Sequence, residues 1–155
     1  MTKKIIITDQ NISELFHQKF REECENTDLY LSDEGYVYVV NLAVRFLNSE
    51  QLFLQEGHRK SLPTLAYLYK DALAAETKRD RVNLIRTLGD TALFLAAFFP
   101  NVWQRRGISR TYFISMSENA FQYLALTELN QGFPYRELSE KNEAIANCLG
   151  KVIKR

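Results

Sequence analysis

The sequence is short of the residues that make turns, with six glycines and three prolines among 155 residues. Average composition would give roughly nineteen of the two together. So few turn formers leave room for a small number of long elements, which disfavours a barrel or sandwich of many short strands. No apolar run approaches the ~20 residues of a membrane-spanning helix, and the three isoleucines after Lys4 are too few for a secretory signal.

Cysteine is also scarce, and the two that are present, Cys24 and Cys148, have no spacing typical of a metal site. They fit two reduced thiols in a cytoplasmic protein, or a disulfide bridge that ties the first helix to the last. The sequence also lacks a Walker phosphate-binding loop, the G-x-G-x-x-G dinucleotide motif and the G-x-S-x-G nucleophile motif. We therefore expect no cofactor, and enzymatic activity is disfavoured.

The net charge is only +1, which gives no global sign of nucleic-acid binding. The charge is nevertheless unevenly spread, since residues 1–77 carry a net −4 and residues 78–110 a net +5. The basic stretch can pair internally with the acidic half of the chain, or it can dock on an acidic surface of a partner.

Apolar residues recur at helical spacing along most of the chain. The segment Gly35-Tyr-Val-Tyr-Val-Val has strand propensity, but its apolar pattern continues with a helical period as far as Leu47. The sequence therefore predicts an all-α protein, a single-domain bundle of five or six helices over residues 1–155, with frayed tails at 1–7 and 151–155. The six long helices are predicted to begin near Thr8, Ser32, Pro63, Lys78, Ser109 and Tyr135. A short additional helix is predicted near Ser49.

The centre of the bundle is predicted from a run without charge. Fourteen residues, Thr91–Gln104, contain no charged side chain, and within this run Leu93 and Phe94 lie off the apolar stripe of the helix. A helix that is apolar all round has to be surrounded, so the helix at about residues 80–99 is expected to be the buried central one. The alternative is an apolar docking surface.

Gly89 and Asp90 interrupt this apolar helix. Glycine inside a helix costs about 1 kcal/mol relative to alanine, so we expect close packing of a neighbouring helix there. An unpaired carboxylate at position 90 would be costly, and it is the only acid between Asp80 and Glu118. We expect Asp90 to tie this helix to the Trp103–Arg110 loop and the fifth helix. Its candidate partners are Arg86, Arg105, Arg106 and Tyr112.

The spacing Glu14-Leu-Phe-His17 matches the Glu-x-x-His element of di-iron helical bundles. Such a site needs a second copy, and the other histidine, His58, follows Gln55 in place of a glutamate. We therefore expect His17 to be structural and predict no metal site.

Four segments carry a further pattern: Leu88-Gly-Asp-Thr-Ala-Leu-Phe, Phe98-Phe-Pro, Arg106-Gly-Ile-Ser-Arg-Thr-Tyr-Phe, and Met116 with Ala120-Phe. Together they resemble the LGD–ALF–FFP–Tyr-Tyr/Phe core of a family of small uncharacterised bacterial proteins, over roughly residues 62–125. That family often has glycine in place of Ala97 and Ser117, a difference that bears on close packing. The resemblance implies a bacterial, cytosolic helical protein, and it brings no assigned activity.

These observations favour a non-enzymatic interaction module: an adaptor, chaperone-like or regulatory subunit of a bacterial cytosolic assembly, which could also self-associate. Its partner would bind at the loop that mixes an aromatic residue with guanidinium groups, namely Trp103, Arg105, Arg106 and Arg110. The alternative is a bundle that binds a small apolar or aromatic ligand between helices, in a pocket lined by Tyr36, Tyr69, Phe94 and Tyr112. A third hypothesis is an enzyme that uses Asp90 with the arginines on an anionic substrate.

Overall fold

A computed structural model describes residues 9–48, 65–128 and 132–153. In these ranges the chain forms seven packed α-helices, a short 3-10 helix over Gln104–Arg106, and no β-strand. The all-α prediction is confirmed. The α-helices are α1 (Asp9–Asn26), α2 (Asp33–Asn48), α3 (65–74), α4 (Lys78–Phe98), α5 (Arg110–Thr127), α6 (Gly132–Glu140) and α7 (Asn142–Ile153).

Capping residues set the starts of two helices that shape the bundle. Ser32 Oγ accepts a hydrogen bond of 3.0 Å from the Gly35 amide at the start of α2. At the start of α4, Thr77 Oγ1 accepts one of 3.1 Å from the Asp80 amide. Each bond satisfies a backbone donor that has no partner inside the helix. The segment from Gly35 to Val40 lies within α2 and is helical, as its periodicity predicted.

The two halves of α4 differ in burial. Its first turns expose polar residues, whereas every residue from Leu88 to Ala97 is buried. This second half is covered from several directions, because α4 packs against α2, α5 and α7. The apolar stretch from Leu93 to Ala97 accordingly contributes to the hydrophobic core.

Two glycines allow helices to approach α4 closely. A Cβ on Gly89 would lie 3.1 Å from both Ala120 Cβ and Phe121 Cζ on α5. A Cβ on Gly150 of α7 would lie 2.6 Å from the backbone oxygen of Ala97. The expectation of close packing at Gly89 is confirmed. The absence of a Cβ at Gly150 likewise lets α7 approach α4 closely.

The structure differs from the prediction in the number of helices and in a helix boundary at Lys141. Seven helices are described where five or six were predicted, because the segment expected as one final helix divides at Lys141 into α6 and α7. Asn142 lies at the division, fully buried, and its Nδ2 donates to Leu138 O at 2.8 Å. Asparagine side chains compete in this way with the backbone bonds of a helix.

Three predicted features fall outside the described residues. They are the short helix at 49–55, the helix start at Pro63 and the frayed tail at 1–7. At the other end, α7 continues to Ile153 and Val152 is buried, so part of the segment expected to fray is helical. Cys24 and Cys148 are both buried and free, with no disulfide between them.

Across residues 9–48, 65–128 and 132–153, no helix combines the length and the hydrophobicity needed to cross a bilayer.

Candidate functional site

A groove of about 390 Å³ lies between α3, α4 and α5. Most of its lining is apolar. The apolar residues are Ala72 and Leu73 of α3, Ile85 and Leu88 of α4, and Met116 and Ala120 of α5. The polar ones are Tyr69, Arg81, Asn119 and Tyr123.

The α3 wall of the groove presents apolar side chains to solvent. Leu65 and Ala72 are buried and anchor the helix, but Tyr67, Tyr69 and Leu73 are exposed. Helical spacing puts Tyr69 and Leu73 on one stripe with Leu65 and Ala72, which predicts a core position for both, and that prediction is wrong. Large apolar side chains clustered beside a groove are typical of a binding surface.

The guanidinium of Arg81 has a fixed position at the edge of the groove. Its Nη2 donates to the backbone oxygen of Ala75 at 3.1 Å, which holds the side chain over the connection between α3 and α4. A guanidinium carries five N–H donors in a planar fork, and this bond occupies one. The edge of an apolar groove thus carries a positioned positive charge.

A second polar cluster lies on another face of α4, around Asp90. The Tyr38 hydroxyl donates to Asp90 Oδ1 at 2.6 Å, and Arg45 Nη2 donates to Oδ2 at 2.9 Å. Burial raises the pKa of the Asp90 carboxyl to about 6, against the lowering effects of the Tyr38 hydrogen bond and the Arg45 charge. Burial and the neighbouring Asp90 charge raise the pKa of Tyr38.

The hydrogen bonds to Asp90 therefore come from residues other than the expected partners, although the charge of Arg86 acts on the carboxylate and helps to lower its pKa. Both hydrogen bonds come from α2, and the carboxylate ties α4 to that helix instead of to the Trp103–Arg110 loop and α5. Arg86 is nearby, but its Nε donates to the Tyr135 hydroxyl of α6 at 2.8 Å. Since both Asp90 oxygens are engaged and the residue is only 5% exposed, the carboxylate is not presented to a substrate.

Tyr112 is not one of the two hydrogen-bond donors to Asp90. Its ring meets that of Phe113 edge to face at 5.8 Å, at the start of α5. The sequence could not single out Tyr38 as the partner of Asp90, because local spacing does not link residues 52 positions apart.

Four residues of the Trp103–Arg110 loop were expected at a partner surface. Two of them make contacts within the protein instead. Trp103 is only 4% exposed and packs against Phe113 at 5.6 Å. Arg110 Nε donates to Ala96 O at 3.0 Å, which caps the end of α4, and its Nη2 donates to Asn147 of α7. Arg105 and Arg106 are exposed on the 3-10 helix. The aromatic anchor expected at a partner surface thus belongs to the core.

The four residues expected to line a ligand pocket are not brought together. Tyr36 donates to His17 O at 2.7 Å and stacks on the His17 ring, and Phe94 stacks on Phe46. Of the four, Tyr69 alone lines the groove.

The groove residues nevertheless carry a sequence signal. On each helix they recur three or four positions apart, as in Arg81, Ile85 and Leu88, which is the spacing of one helix face. The apolar stripes of these helices can be found in the sequence. The groove between them cannot, because periodicity does not show where two packed helices diverge.

No group of three histidine, cysteine, aspartate or glutamate side chains in the described part of the chain is placed to hold a metal. Comparisons with protein-family models, curated proteins and solved structures found no match to this chain.

Proposed function

We propose that this protein binds a small apolar or aromatic molecule in the groove between α3, α4 and α5. The observation that supports this most is a cavity of about 390 Å³ with six apolar lining residues and a few polar groups. Ligand sites in proteins have this composition and volumes of about 300–1,000 Å³.

The lining also indicates how such a molecule would be oriented. Apolar surface removed from water contributes about 25 cal/mol per Å², so the inner part of the groove favours a hydrocarbon or an aromatic ring. Arg81 at the edge suits a carboxylate, which its fork of N–H groups can bind through two bonds. The proposed ligand class is therefore an apolar molecule with an acidic end.

In this proposal the chain is a single helical domain and α4 is its buried central helix. Ile85 and Leu88 contribute to the lining, and the fully buried turns from Leu88 to Ala97 follow directly. A lining held by the core needs little rearrangement on binding, which lowers the entropic cost of holding a ligand.

The test uses the purified full chain and the neutral apolar fluorophore N-phenyl-1-naphthylamine. Leu73→Asp places a charge on the groove wall and should weaken probe binding about tenfold. Leu126→Asp is the matched control, because Leu73 and Leu126 are 67% and 69% exposed and Leu126 lies outside the groove. Equal affinity of the two variants for the probe would contradict the proposal. Native mass spectrometry of the untreated protein then identifies any co-purified ligand.

A second proposal is a non-enzymatic interaction module of a bacterial cytosolic assembly, with an acidic partner surface or a second copy of the chain. The observation that favours it is the adjacent, exposed pair Arg105 and Arg106 on a loop that Trp103 and Arg110 anchor.

This proposal is tested by partner capture from native cytosol and by light scattering of the purified chain. Capture, or self-association, should be lost with the double variant Arg105→Ala and Arg106→Ala. It should persist with Arg79→Ala and Arg136→Ala, which removes two exposed arginines elsewhere. The same loss with both double variants would point to general charge attraction and reject the loop.

A further inference from the structure

Two cysteines that are 124 positions apart in the sequence meet between the first and last helices. Cys24 lies near the end of α1 and Cys148 in α7. Cys148 Sγ donates to the backbone oxygen of Glu23, the residue before Cys24, at 3.9 Å, and the two thiols influence each other's ionisation. Both side chains are buried, at 5% and 2% exposure. The contact is independent of the groove, which is formed by α3, α4 and α5.

The surroundings of the pair distinguish the two sulfurs. Thr27 Oγ1 lies 3.2 Å from Cys148 Sγ, and Lys151 follows one turn later on α7. The Cys24 hydrogen bond, the Thr27 hydroxyl and the Lys151 charge lower the pKa of Cys148 to about 6, although burial and Glu23 oppose this. The Cys148 hydrogen bond and burial raise the pKa of Cys24. These contacts favour Cys148 over Cys24 as the sulfur that ionises first.

We propose that Cys24 and Cys148 are a redox-active pair that a hydroperoxide oxidises to a reversible disulfide. A thiolate is the nucleophile in such chemistry, and a second thiol in contact with it resolves the intermediate. Cys148 Sγ lies against the last turn of α1, next to Cys24, and such a juxtaposition of two free thiols is what an intramolecular disulfide requires.

The reaction proceeds in two balanced steps. The Cys148 thiolate attacks one oxygen of hydrogen peroxide, the O–O bond breaks, and a Cys148 sulfenic acid and hydroxide form. The hydroxide takes a proton from solvent. The Cys24 sulfur then attacks the Cys148 sulfur, the S–O bond breaks, and the hydroxyl leaves as water with the Cys24 proton. The two cysteines lose two electrons in total, and the peroxide is reduced to two molecules of water.

The bond would link α1 covalently to α7 and close most of the chain into one loop. Long loops gain the most from such a link, because it restricts the unfolded chain. The oxidised protein should therefore melt on the order of 10 °C higher than the reduced one.

The experiment treats the reduced full chain with hydrogen peroxide and maps its peptides without reductant. The expected product is the monomer that has lost two hydrogens, with the Cys24 and Cys148 peptides joined and then separated again by dithiothreitol. Two fully reduced cysteines after treatment, or disulfides only between molecules, would overturn the proposal. This readout needs no variant, so it does not depend on whether a substituted chain folds.

Variants then assign the two roles. In Cys24→Ser the sulfenic acid cannot be resolved, so dimedone should label Cys148. In Cys148→Ser dimedone should label Cys24 at least tenfold more slowly. Faster labelling of Cys24 than of Cys148 would reject the assignment of Cys148 as the nucleophile.

Discussion

The hydroxyl of Tyr38 lies 2.6 Å from Oδ1 of Asp90 and joins α2 to the buried half of α4. The carboxylate gives up water on entering the core and receives two donors in exchange, one of them from the largely exposed Arg45. Its pKa stays raised, to about 6, so these donors do not fully offset the loss of hydration.

The stability of the protein should depend on the ionisation of Asp90. Because the pKa of Asp90 is about 6 in the folded protein against an ordinary 3.8, the fold holds this proton more tightly than the unfolded chain does. The contribution of Asp90 protonation to the free energy of unfolding is greatest below pH 3.8. It is lost as the pH rises through 6, and the total loss is about 3 kcal/mol. Asp90→Asn stays uncharged, so its free energy of unfolding should fall less between pH 4 and 7 than that of the wild type.

Guanidinium unfolding at a series of pH values measures this difference. Asp71→Asn, an exposed aspartate on α3, should keep the slope of the wild type. Parallel stability curves for the wild type and Asp90→Asn would contradict the prediction.

Removing the Tyr38 hydroxyl should destabilise the fold. Tyr38→Phe leaves Asp90 Oδ1 without its hydroxyl donor, and the loss of a hydrogen bond to a buried charged group costs about 2 kcal/mol. Tyr112→Phe removes a hydroxyl of the same kind that does not contact Asp90, and it should change the free energy of unfolding by less than about 0.5 kcal/mol. Chemical denaturation of both variants at pH 7 makes the comparison, and equal losses would argue against the α2–α4 tie.

Alanine at the two close-packing glycines should destabilise to different extents. The new Cβ in Gly150→Ala meets a backbone oxygen of α4, whereas in Gly89→Ala it meets side chains of α5. A backbone atom can move only with its helix, so we expect a loss of about 2–3 kcal/mol for Gly150→Ala. For Gly89→Ala we expect about 1 kcal/mol, after the gain in helix propensity. Thermal unfolding tests the order, and a stabilised Gly150→Ala would show that α7 can shift without cost.

Two arginines of one loop should behave differently when truncated. Arg110→Ala removes the donor to Ala96 O and the bond to Asn147, so it should lower the free energy of unfolding by about 1–2 kcal/mol. Arg106→Ala removes an exposed side chain and should change it by less than about 0.5 kcal/mol. If the two variants are equally stable in urea, Arg110 does not cap α4.

Arg81 should set the preference of the groove for acidic ligands. Arg81→Gln should weaken binding of an apolar carboxylate such as decanoate about tenfold and leave the matched alcohol, decanol, unchanged. Displacement of the neutral fluorophore by each compound gives the two affinities. An equal loss for acid and alcohol would mean that Arg81 shapes the groove and does not bind a carboxylate.

How far the sequence predicted the site can be seen from single residues. Gly89 was assigned to close packing from helix propensity alone, and the Cβ contacts with α5 confirm it. Tyr69 and Leu73 were placed on the correct helical stripe, yet they are exposed beside the groove. The spacing of residues fixes the face of a helix, but a neighbour that diverges leaves part of that face uncovered.

The sequence by itself determined that the chain is helical and where α2 and α4 begin, because the helical period, the caps at Ser32 and Thr77, and the uncharged stretch after Asp90 are local properties of the chain. Only the tertiary structure decided which side chains meet. Tyr38 reaches Asp90 across 52 positions and Cys24 reaches Cys148 across 124, and no local rule links residues so far apart. Such pairs depend on how the helices are stacked, and close packing of the whole core sets that arrangement.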